Sequence, residues 1–236
     1  MKTAIVLGVG PEDGLGGQLC LRFGQDHHVL IAGRTREKLE IIAARIRDRG
    51  GSAEAVVADA TDEAATISLF DRAGGELTLA IYNAGNNTPG KIIDMEAAYF
   101  EHSWRVCCFG GFLFGREAVR RMQGRGGTIL YTGASASLRG RANFGAFNSS
   151  KAALRTFAQA LAKEYAKDGV HVGHVVVDGP INGEKIRKGL PQYAEKLGEE
   201  GMISIGGIVD AYEYLYRQPR SAWSFELDIR THLERW

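Results

Sequence analysis

Apolar and polar residues follow two different periods along this chain. Short apolar runs of strand length occur near 3–8, 28–33, 54–59, 78–83, 127–133, 171–177 and 224–229. Longer stretches with helical spacing of their apolar residues lie between them, near 14–24, 35–49, 62–74, 95–123, 145–167 and 206–217. Buried strands that alternate with amphipathic helices indicate βαβ units and a sheet covered on both faces. The pattern predicts a single α/β domain over residues 1–236, doubly wound, with about seven parallel strands.

The stretch 180–205 departs from this alternation. It contains two prolines, four glycines and eight charged side chains, with a helical pattern only around Tyr193–Leu197. A segment of this kind, placed after a late strand of a parallel sheet, can serve as a lid over the carboxyl ends of the strands. A plain surface excursion is the alternative interpretation.

The composition is that of an ordinary globular protein, with 44% hydrophobic and 24% charged residues in 236. A formal net charge of +1 gives no reason to expect a nucleic acid or an anionic membrane as partner. No apolar run approaches the roughly 20 residues that span a bilayer, and no signal-peptide pattern precedes the first strand. Cys20, Cys107 and Cys108 lack a metal-binding spacing, which favours buried thiols in a reducing compartment. The cytoplasm is therefore the expected location.

A glycine cluster follows the first predicted strand and leads directly into the first helix. It comprises Gly8, Gly10, Gly14 and Gly16, with Leu15 inside it. Glycines at such a junction let the backbone turn sharply and approach a pyrophosphate, and the helix amino terminus offers free N–H groups and a partial positive charge. The placement predicts a Rossmann-type nucleotide site at these five residues.

Two acids inside this loop qualify the prediction. Glu12 and Asp13 would repel a phosphate, so their side chains must point outward or the loop must bulge. The motif begins either at Gly10 or, with two residues inserted, at Gly8. The sequence leaves both registers open.

Arg34 directly follows the second predicted strand. A site selective for NAD needs Asp or Glu here to accept a hydrogen bond from the ribose 2′-hydroxyl. A guanidinium at this position pairs instead with a 2′-phosphate, and Arg36 and Lys38 add positive charge nearby. The sequence therefore predicts NADP(H), although solvated cations at the start of a helix would give the same pattern.

Further motifs occur along the whole chain: Asp59-Ala60 at the end of the third predicted strand, Tyr82-Asn83-Ala84-Gly85 at the end of the fourth, Phe147-Asn148-Ser149-Ser150-Lys151 at the start of a long helix, and Asp178-Gly179 with Ile181 after the sixth strand. On these motifs the sequence resembles the short-chain dehydrogenase/reductase family. The resemblance implies nucleotide contacts at Lys151 and at the motif residues Asp59, Ala60, Asn83, Ala84, Gly85 and Ile181. It also implies a small-molecule substrate and a homo-dimer or homo-tetramer formed through the helices near 95–123 and 145–167. Those helices carry surplus apolar residues, which burial within one chain explains almost as well. Trp236 is a further candidate for an interface contact.

The catalytic positions of that family are largely altered. Lys151 is retained, whereas Phe147 occupies the position of the catalytic Tyr. Ala134 stands at the Ser position, with Ser135 beside it, and Cys107 stands at the Asn position on the central helix. A phenyl ring has no proton to give, and general acid catalysis is typically worth about 10²–10⁴-fold in rate.

Three interpretations of these substitutions remain open. The chain is an NADP(H)-dependent oxidoreductase acting on a small carbonyl or conjugated enone, in which Ser135 donates the proton, Lys151 stabilises negative charge, and Phe144 and Phe147 line an apolar pocket. Alternatively it binds NADP(H) with little or no turnover, as a sensor or scaffold. In the third, the loop binds a different adenine nucleotide. The six histidines show no spacing that would predict a metal site.

Overall fold

The computed structural model describes residues 1–74 and 76–234, and the interface prediction for Trp236 lies outside them. The predicted strand order along the chain is confirmed. The strands are β1 (Lys2–Leu7), β2 (His28–Gly33), β3 (Ser52–Val57), β4 (Glu76–Tyr82), β5 (Gly127–Ala134), β6 (Val170–Asp178) and β7 (Glu226–Arg230). The α-helices are α1 (Leu15–Phe23), α2 (Arg36–Asp48), α3 (Glu63–Asp71), α4 (Ala97–Trp104), α5 (Gly110–Met122), α6 (Gly145–Tyr165), α7 (Glu184–Gly189), α8 (Pro191–Leu197) and α9 (Ile205–Arg217).

All seven strands pair in parallel in one sheet of order β3-β2-β1-β4-β5-β6-β7. The chain crosses from the β3 edge back to the centre to form β4, so the winding direction reverses between β1 and β4. Ligands of open α/β sheets bind in the crevice at this reversal, outside the carboxyl ends of the strands. The topology therefore places the candidate site at the ends of β1, β2, β4 and β5.

Two apolar layers cover the sheet, one on each face. The first joins buried residues of α1, α2 and α9 to the strands, among them Leu19, Ile42 and Tyr212. The second joins α3, α5 and α6, with Phe70, Phe114 and Leu154. Because both faces are covered, the strands read as nearly continuous apolar runs, which is the reason the sequence revealed them.

The helix predicted near 95–123 is more complex than its pattern suggested. A 3₁₀ turn at Ile92–Asp94 precedes α4, and a π-helical turn, Arg105–Phe109, joins α4 to α5. A π turn accommodates one extra residue in a helix and often marks a functional site. Here Cys107 lies in it.

The stretch 180–205 contains two short helices, α7 and α8, although the sequence pattern indicated helix only in the second. Pro191 at the first position of α8 separates it from α7, since proline is tolerated at that position but ends a preceding helix. The stretch is fixed at both ends by a parallel bridge between Ile181 and Ile203. Near its start, the Glu184 N–H donates to the Asp13 carbonyl at 3.3 Å, so the stretch lies beside the glycine loop.

The surplus apolar residues of the long helices are partly accounted for within the chain. Phe114, Leu154 and Leu161 are buried in the sheet-facing layer, and Leu113 is also buried. The apolar residues left on the surface form an aromatic ladder, with ring centroids about 6 Å apart: Trp104, Phe109, Phe112 and Phe157. Within the described ranges, no helix has the length and apolar character required to cross a bilayer.

Candidate nucleotide-binding and catalytic site

The glycine loop is fitted to its neighbours by close backbone contact. Gly8 has φ of +98°, and a Cβ on it would stand 2.3 Å from the Ala84 nitrogen. Gly16 lies where a Cβ would come within 3.0 Å of the Asn83 amide nitrogen. These contacts require glycine at the crossing of the β1 and β4 loops. Both the backbone angle and the contact therefore require glycine at position 8.

The rest of the loop leaves space in front of α1. A Cβ on Gly10 would meet nothing within 4 Å, so this glycine faces open space. The Gly14 N–H bonds to the Pro11 carbonyl at 3.0 Å, and Leu15 then begins α1, whose first turn carries no side-chain cap. The Glu12 carboxylate points away to Arg45 at 3.3 Å. This outward position removes the repulsion that a phosphate at the loop would meet.

A cavity of about 190 Å³ opens at the reversal point of the sheet. Eight of the predicted nucleotide residues line it, together with Leu7, Val9, Gly33, Ala58 and Val106: they are Gly8, Gly10, Arg34, Asp59, Ala60, Asn83, Ala84 and Gly85. The other predicted nucleotide residues lie outside this lining: Gly14, Leu15, Gly16, Lys151 and Ile181. We refer to this space as the nucleotide cavity.

Arg34 stands exposed at the rim of the nucleotide cavity. Among the described residues, no acidic oxygen lies within ion-pairing distance of its guanidinium. Asp59 accepts hydrogen bonds from the backbone and hydroxyl of Thr61 at 2.8 Å each. The Thr61 backbone bond, helped by the charge of Arg34, lowers the pKa of Asp59. One unpaired cation and one fixed carboxylate therefore share this rim.

Asn83 joins the glycine loop to β5. Its amide nitrogen donates to the Gly8 carbonyl at 3.1 Å, and its amide oxygen accepts from the Thr132 hydroxyl at 2.9 Å. That hydroxyl also lies 2.6 Å from the Tyr212 hydroxyl on α9. The three-residue chain fixes the spacing between the nucleotide cavity and the end of β5.

Lys151 is buried at the second turn of α6. Its Nζ donates to the Thr132 carbonyl at 2.8 Å and stands 5.9 Å from the centre of the Phe147 ring. A Cβ on Gly85 would lie 3.4 Å from this Nζ, so the ammonium faces the wall of the nucleotide cavity. Burial lowers the pKa of Lys151, which eases proton exchange at this nitrogen.

Cys107 faces the same wall from the π turn. A Cβ on Gly85 would be 3.9 Å from its sulfur, and the thiol donates to the Asn86 side-chain oxygen at 3.4 Å. The Asn86 oxygen also accepts from Ser103 at 3.0 Å. The π turn thus brings the thiol to the position where Lys151, Gly85 and Asn86 meet.

The end of β5 and the first two turns of α6 form what we call the β5–α6 corner. Ala134 ends β5 and Ser135 opens a 3₁₀ turn, Ser135–Ser137. Phe147, half-buried, stands on the first turn of α6. Lys151 is therefore the one titratable side chain among these four, and Ser135 contributes the one hydroxyl.

A larger, mainly apolar cavity of about 320 Å³ lies beside this corner. The residues that line it are Ile92, Met95, Ala97, Phe100, Gly145 and Ala146. The prediction that the Phe144 and Phe147 rings form the apolar pocket is therefore wrong for this cavity. Their chain neighbours Gly145 and Ala146 line it instead, because successive helical residues point about 100° apart.

Sequence reasoning missed several residues that organise the site. Asn86 directly follows the Asn83–Gly85 motif, and its position there could have drawn attention to it. Thr132 and Tyr212 gave no comparable signal, because their partners are distant in the chain. His174 was interpreted as a satisfied imidazole, and it is fully buried with hydrogen-bond partners. In residues 1–74 and 76–234, no group of three His, Cys, Asp or Glu side chains could hold a metal ion.

Comparison with known proteins agrees with this geometry. A sequence model of the short chain dehydrogenase family matches residues 2–188. The chain belongs to the short-chain dehydrogenase/reductase family. A short-chain dehydrogenase from Rhodopseudomonas palustris is similar over 98% of this chain and 99% of its own, with 32% identity and a TM-score of 0.82. The family resemblance and the fold expected from it are thereby confirmed.

Curated relatives include several oxidoreductases. An uncharacterized oxidoreductase of Bacillus subtilis, YuxG, is 30% identical over 92% of this chain, which spans 32% of YuxG. Versicolorin reductase stcU of Emericella nidulans is 31% identical over 68% of this chain and 62% of its own length. An NADPH-dependent aldehyde reductase-like protein of Arabidopsis thaliana is 28% identical over 84% of this chain and 80% of its own. The chain thus spans less than two thirds of the first two relatives.

Proposed function

We propose that this family member is an NADP(H)-dependent oxidoreductase that acts on a small carbonyl or conjugated enone substrate. The observation that carries the cofactor assignment is Arg34, an unpaired cation at the rim of the nucleotide cavity where an NAD-selective site needs an acid. Two reductases among the relatives also support an oxidoreductase function, and one of them is described as NADPH-dependent, which supports the cofactor assignment.

The residues present fit a dinucleotide. Gly8 lies so close to the backbone of Ala84 that any Cβ would collide with it. Gly10 leaves open space in front of the free first turn of α1. Leu15 and Gly16 open that turn, so their N–H groups would hold the pyrophosphate. Asp59 and Ala60 would hold the adenine end, Asn83, Ala84 and Gly85 the middle, and Ile181 the carboxamide. The bound nicotinamide ring would supply or accept the hydride.

Lys151 would bind the nicotinamide ribose and stabilise negative charge on the substrate oxygen. Its Nζ faces the Gly85 wall of the nucleotide cavity and is held there by the Thr132 carbonyl. Phe147 has no proton to donate, so ketone reduction lacks its usual acid. Enone reduction needs a stabilised enolate at the moment of hydride transfer, and the proton can follow from water or from Ser135. The conjugated substrate class suits this corner better.

The apolar cavity beside the β5–α6 corner would receive the carbon skeleton of the substrate. Its 320 Å³ and its lining of Ile92, Met95 and Phe100 suit a small apolar molecule. The stretch 180–205 would act as the lid over the site, because it lies against Asp13 of the glycine loop. We also propose that residues 1–236 form a single domain.

The assembly we propose is a homo-dimer or homo-tetramer through α4, α5 and α6. The aromatic ladder from Trp104 to Phe157 lies on this face, and Phe112 and Trp104 remain exposed by 36% and 41%. Exposed aromatic rings clustered on one face are characteristic of subunit contacts.

A second function, a nucleotide-binding sensor or scaffold with little turnover, is favoured by one observation. If Phe147, Ala134 and Cys107 occupy the predicted catalytic positions, the site lacks the acid, the hydroxyl and the amide, whereas eight predicted nucleotide residues line the nucleotide cavity. Such a protein would bind NADPH as tightly as an enzyme does. It would differ only in failing to oxidise NADPH with any carbonyl or enone.

Titration with NADPH and NADH, followed by nicotinamide and tryptophan fluorescence, tests the proposal. We expect NADPH to bind at least tenfold more tightly than NADH, because the Arg34 guanidinium pairs with the 2′-phosphate. Arg34→Asp should remove most of this preference. Arg49→Asp, the same charge reversal at the other end of α2, is the matched control and should leave it intact. Equal losses for both cofactors in Arg34→Asp would contradict the NADP(H) assignment.

A further inference from the structure

A buried imidazole lies beneath the β5–α6 corner. His174, in the middle of β6, is fully buried, and its Nδ1 stands 2.8 Å from a carboxylate oxygen of Glu226 on β7. Arg155 on α6 donates two hydrogen bonds to the same carboxylate, at 2.6 and 2.9 Å. The carboxylate is therefore held by an imidazole on one side and a guanidinium on the other.

The other imidazole nitrogen faces the turn after β5. His174 Nε2 lies 3.4 Å from the Ser137 hydroxyl, and that oxygen accepts the Ala134 N–H at 3.2 Å. A carboxylate can only accept, so Nδ1 donates to Glu226 and Nε2 accepts from Ser137. We call these four side chains, Ser137, His174, Glu226 and Arg155, the His174 network. Each member in it has a defined donor or acceptor role.

The imidazole ring also fixes the end of β5 by direct contact. A Cβ on Gly133 would stand 2.2 Å from His174 Nε2, so only glycine lets the strand lie this close to the ring. Phe225 stacks on the ring at 6.2 Å between centroids, with the planes 9° apart. The ring cannot shift without moving either β5 or the segment before β7.

Arg155 connects this ring to the second half of the corner. It follows Lys151 by four residues on α6, one helical turn further on the same face. The network therefore joins the turn that contains Ser135 to the helix that contains Lys151. We propose that the His174 network is a positioning device that fixes the distance between these two, and so holds the nicotinamide half of the nucleotide site. The inference rests on the function proposed above.

The order Ser, His, carboxylate is also that of a hydrolase triad. Three features argue against that chemistry here. Ser137 is buried, its oxygen already accepts the Ala134 N–H, and it lies inside a 3₁₀ turn rather than on the wall of either cavity. A positioning role uses every contact of the network, whereas a nucleophilic role requires access that the structure does not show.

The test compares NADPH with adenosine 2′,5′-bisphosphate, which has the adenosine end of NADPH but no nicotinamide. Ser137→Ala disconnects the turn from the imidazole and leaves the ring paired with Glu226. We expect about tenfold weaker NADPH binding, because both hydrogen bonds of the Ser137 hydroxyl are lost, to His174 and from the Ala134 N–H. Binding of the bisphosphate should change by less than about twofold, since its contacts lie at the Arg34 end.

Two further variants make the result specific. Thr66→Val removes another fully buried hydroxyl with the side-chain shape retained. That hydroxyl donates to the Asp62 carbonyl at the start of α3, away from the corner, so both affinities should be unchanged. Glu226→Gln acts on the far end of the network with the side-chain shape retained. It should weaken NADPH binding in the same selective way as Ser137→Ala, although the two sites lie on different elements.

Three results would overturn the proposal. Ser137→Ala could leave NADPH binding unchanged, or it could weaken both ligands equally, which would indicate a general loss of structure. Covalent labelling of Ser137 by a fluorophosphonate probe would make it a nucleophile instead. If the unaltered protein binds neither ligand, the NADP(H) function itself is contradicted, together with the inference that rests on it. Wild-type binding of both therefore separates the two failures.

Discussion

The nucleotide cavity and the β5–α6 corner are built from the same kind of βα junction, yet they differ in what their side chains can do. Around the nucleotide cavity, Gly8, Arg34 and Asp59 each have the property that nucleotide binding requires. At the corner, the side chains of Ala134 and Phe147 have no proton to exchange, and the sequence comparison predicts that they occupy the family's Ser and Tyr positions. Lys151 alone retains a titratable group, and it is held by a backbone carbonyl.

Under the proposed function, this difference would make binding and proton transfer separable properties of one fold. The geometry of the corner is tightly specified although it carries few groups that can exchange a proton. The Thr132 hydroxyl bonds to Asn83, His174 packs against Gly133, and Lys151 is buried. A scaffold that merely tolerated a nucleotide would not need such precise support at the corner. We therefore favour altered chemistry over absent chemistry.

Phe147→Tyr should have the largest effect on the difference between the nucleotide cavity and the β5–α6 corner, because it gives the corner a proton donor. Lys151 Nζ stands 5.9 Å from the ring centre, so the ammonium would favour ionisation of the new phenol. We expect NADPH-dependent ketone reduction to rise by about 10²–10⁴-fold, the usual contribution of a general acid. Phe144→Tyr places a phenol on the neighbouring ring and should have no such effect. Unchanged ketone turnover with intact NADPH binding would contradict the assigned role of position 147.

The nucleotide cavity requires close backbone packing at Gly8 and open space for the ligand at Gly10. The substitutions Gly8→Ala and Gly10→Ala should separate these two requirements. A Cβ on Gly8 would meet Ala84 at 2.3 Å in a left-handed backbone, and we expect a loss of about 3–5 kcal/mol in unfolding free energy. A Cβ on Gly10 has free space, so stability should change by less than about 1 kcal/mol while NADPH binding weakens. Chemical denaturation and NADPH titration measure the two effects. Equal destabilisation by both substitutions would contradict this division.

Acid should weaken the corner through His174. Burial lowers the pKa of His174 to about 4, against the opposing effect of Glu226. Between pH 6.5 and about 4 the unfolded chain binds a proton that the folded protein does not, so stability falls as the pH is lowered through this window. The contribution is about 3 kcal/mol. Burial also lowers the pKa of His27 and His171, which add to the fall in the same range.

Chemical denaturation of the wild type and of His174→Gln at several pH values isolates the contribution of His174 to the pH dependence of stability. The variant should show a shallower loss of stability between pH 6.5 and 4, with the contributions of the other histidines unchanged. Identical slopes would mean that His174 titrates normally in the folded protein. That result would also contradict the assigned neutral tautomer, in which Nδ1 donates to Glu226 and Nε2 accepts from Ser137.

The architecture could be predicted from sequence because each strand is buried on both faces. β2, for example, is apolar at nearly every position, and its predicted range 28–33 agrees with His28–Gly33. The motif register was left open between Gly8 and Gly10, since spacing alone does not report a backbone angle. The φ of +98° at Gly8 shows that this position needs glycine, a requirement that spacing does not reveal.

Other features had no sequence signal at all. The π turn at Arg105–Phe109 arises within a stretch whose apolar spacing predicted one continuous helix, and the glycine pair Gly110-Gly111 that follows it did not by itself indicate a π turn. The bond between His174 and Glu226 joins residues 52 apart, and the bond between Thr132 and Tyr212 spans 80. Such pairs depend on which strands become neighbours, and periodicity along one segment carries no information about that.

The pairing of His174 with Glu226 also bears on how the protein is made. A ribosome supplies the chain from the amino terminus at roughly 5–20 residues per second, so the imidazole is synthesised 52 residues before its carboxylate. A nascent chain that has reached β6 holds a complete glycine loop and a histidine whose partner does not yet exist. The corner therefore acquires its final support only after β7 has been synthesised and has paired with β6.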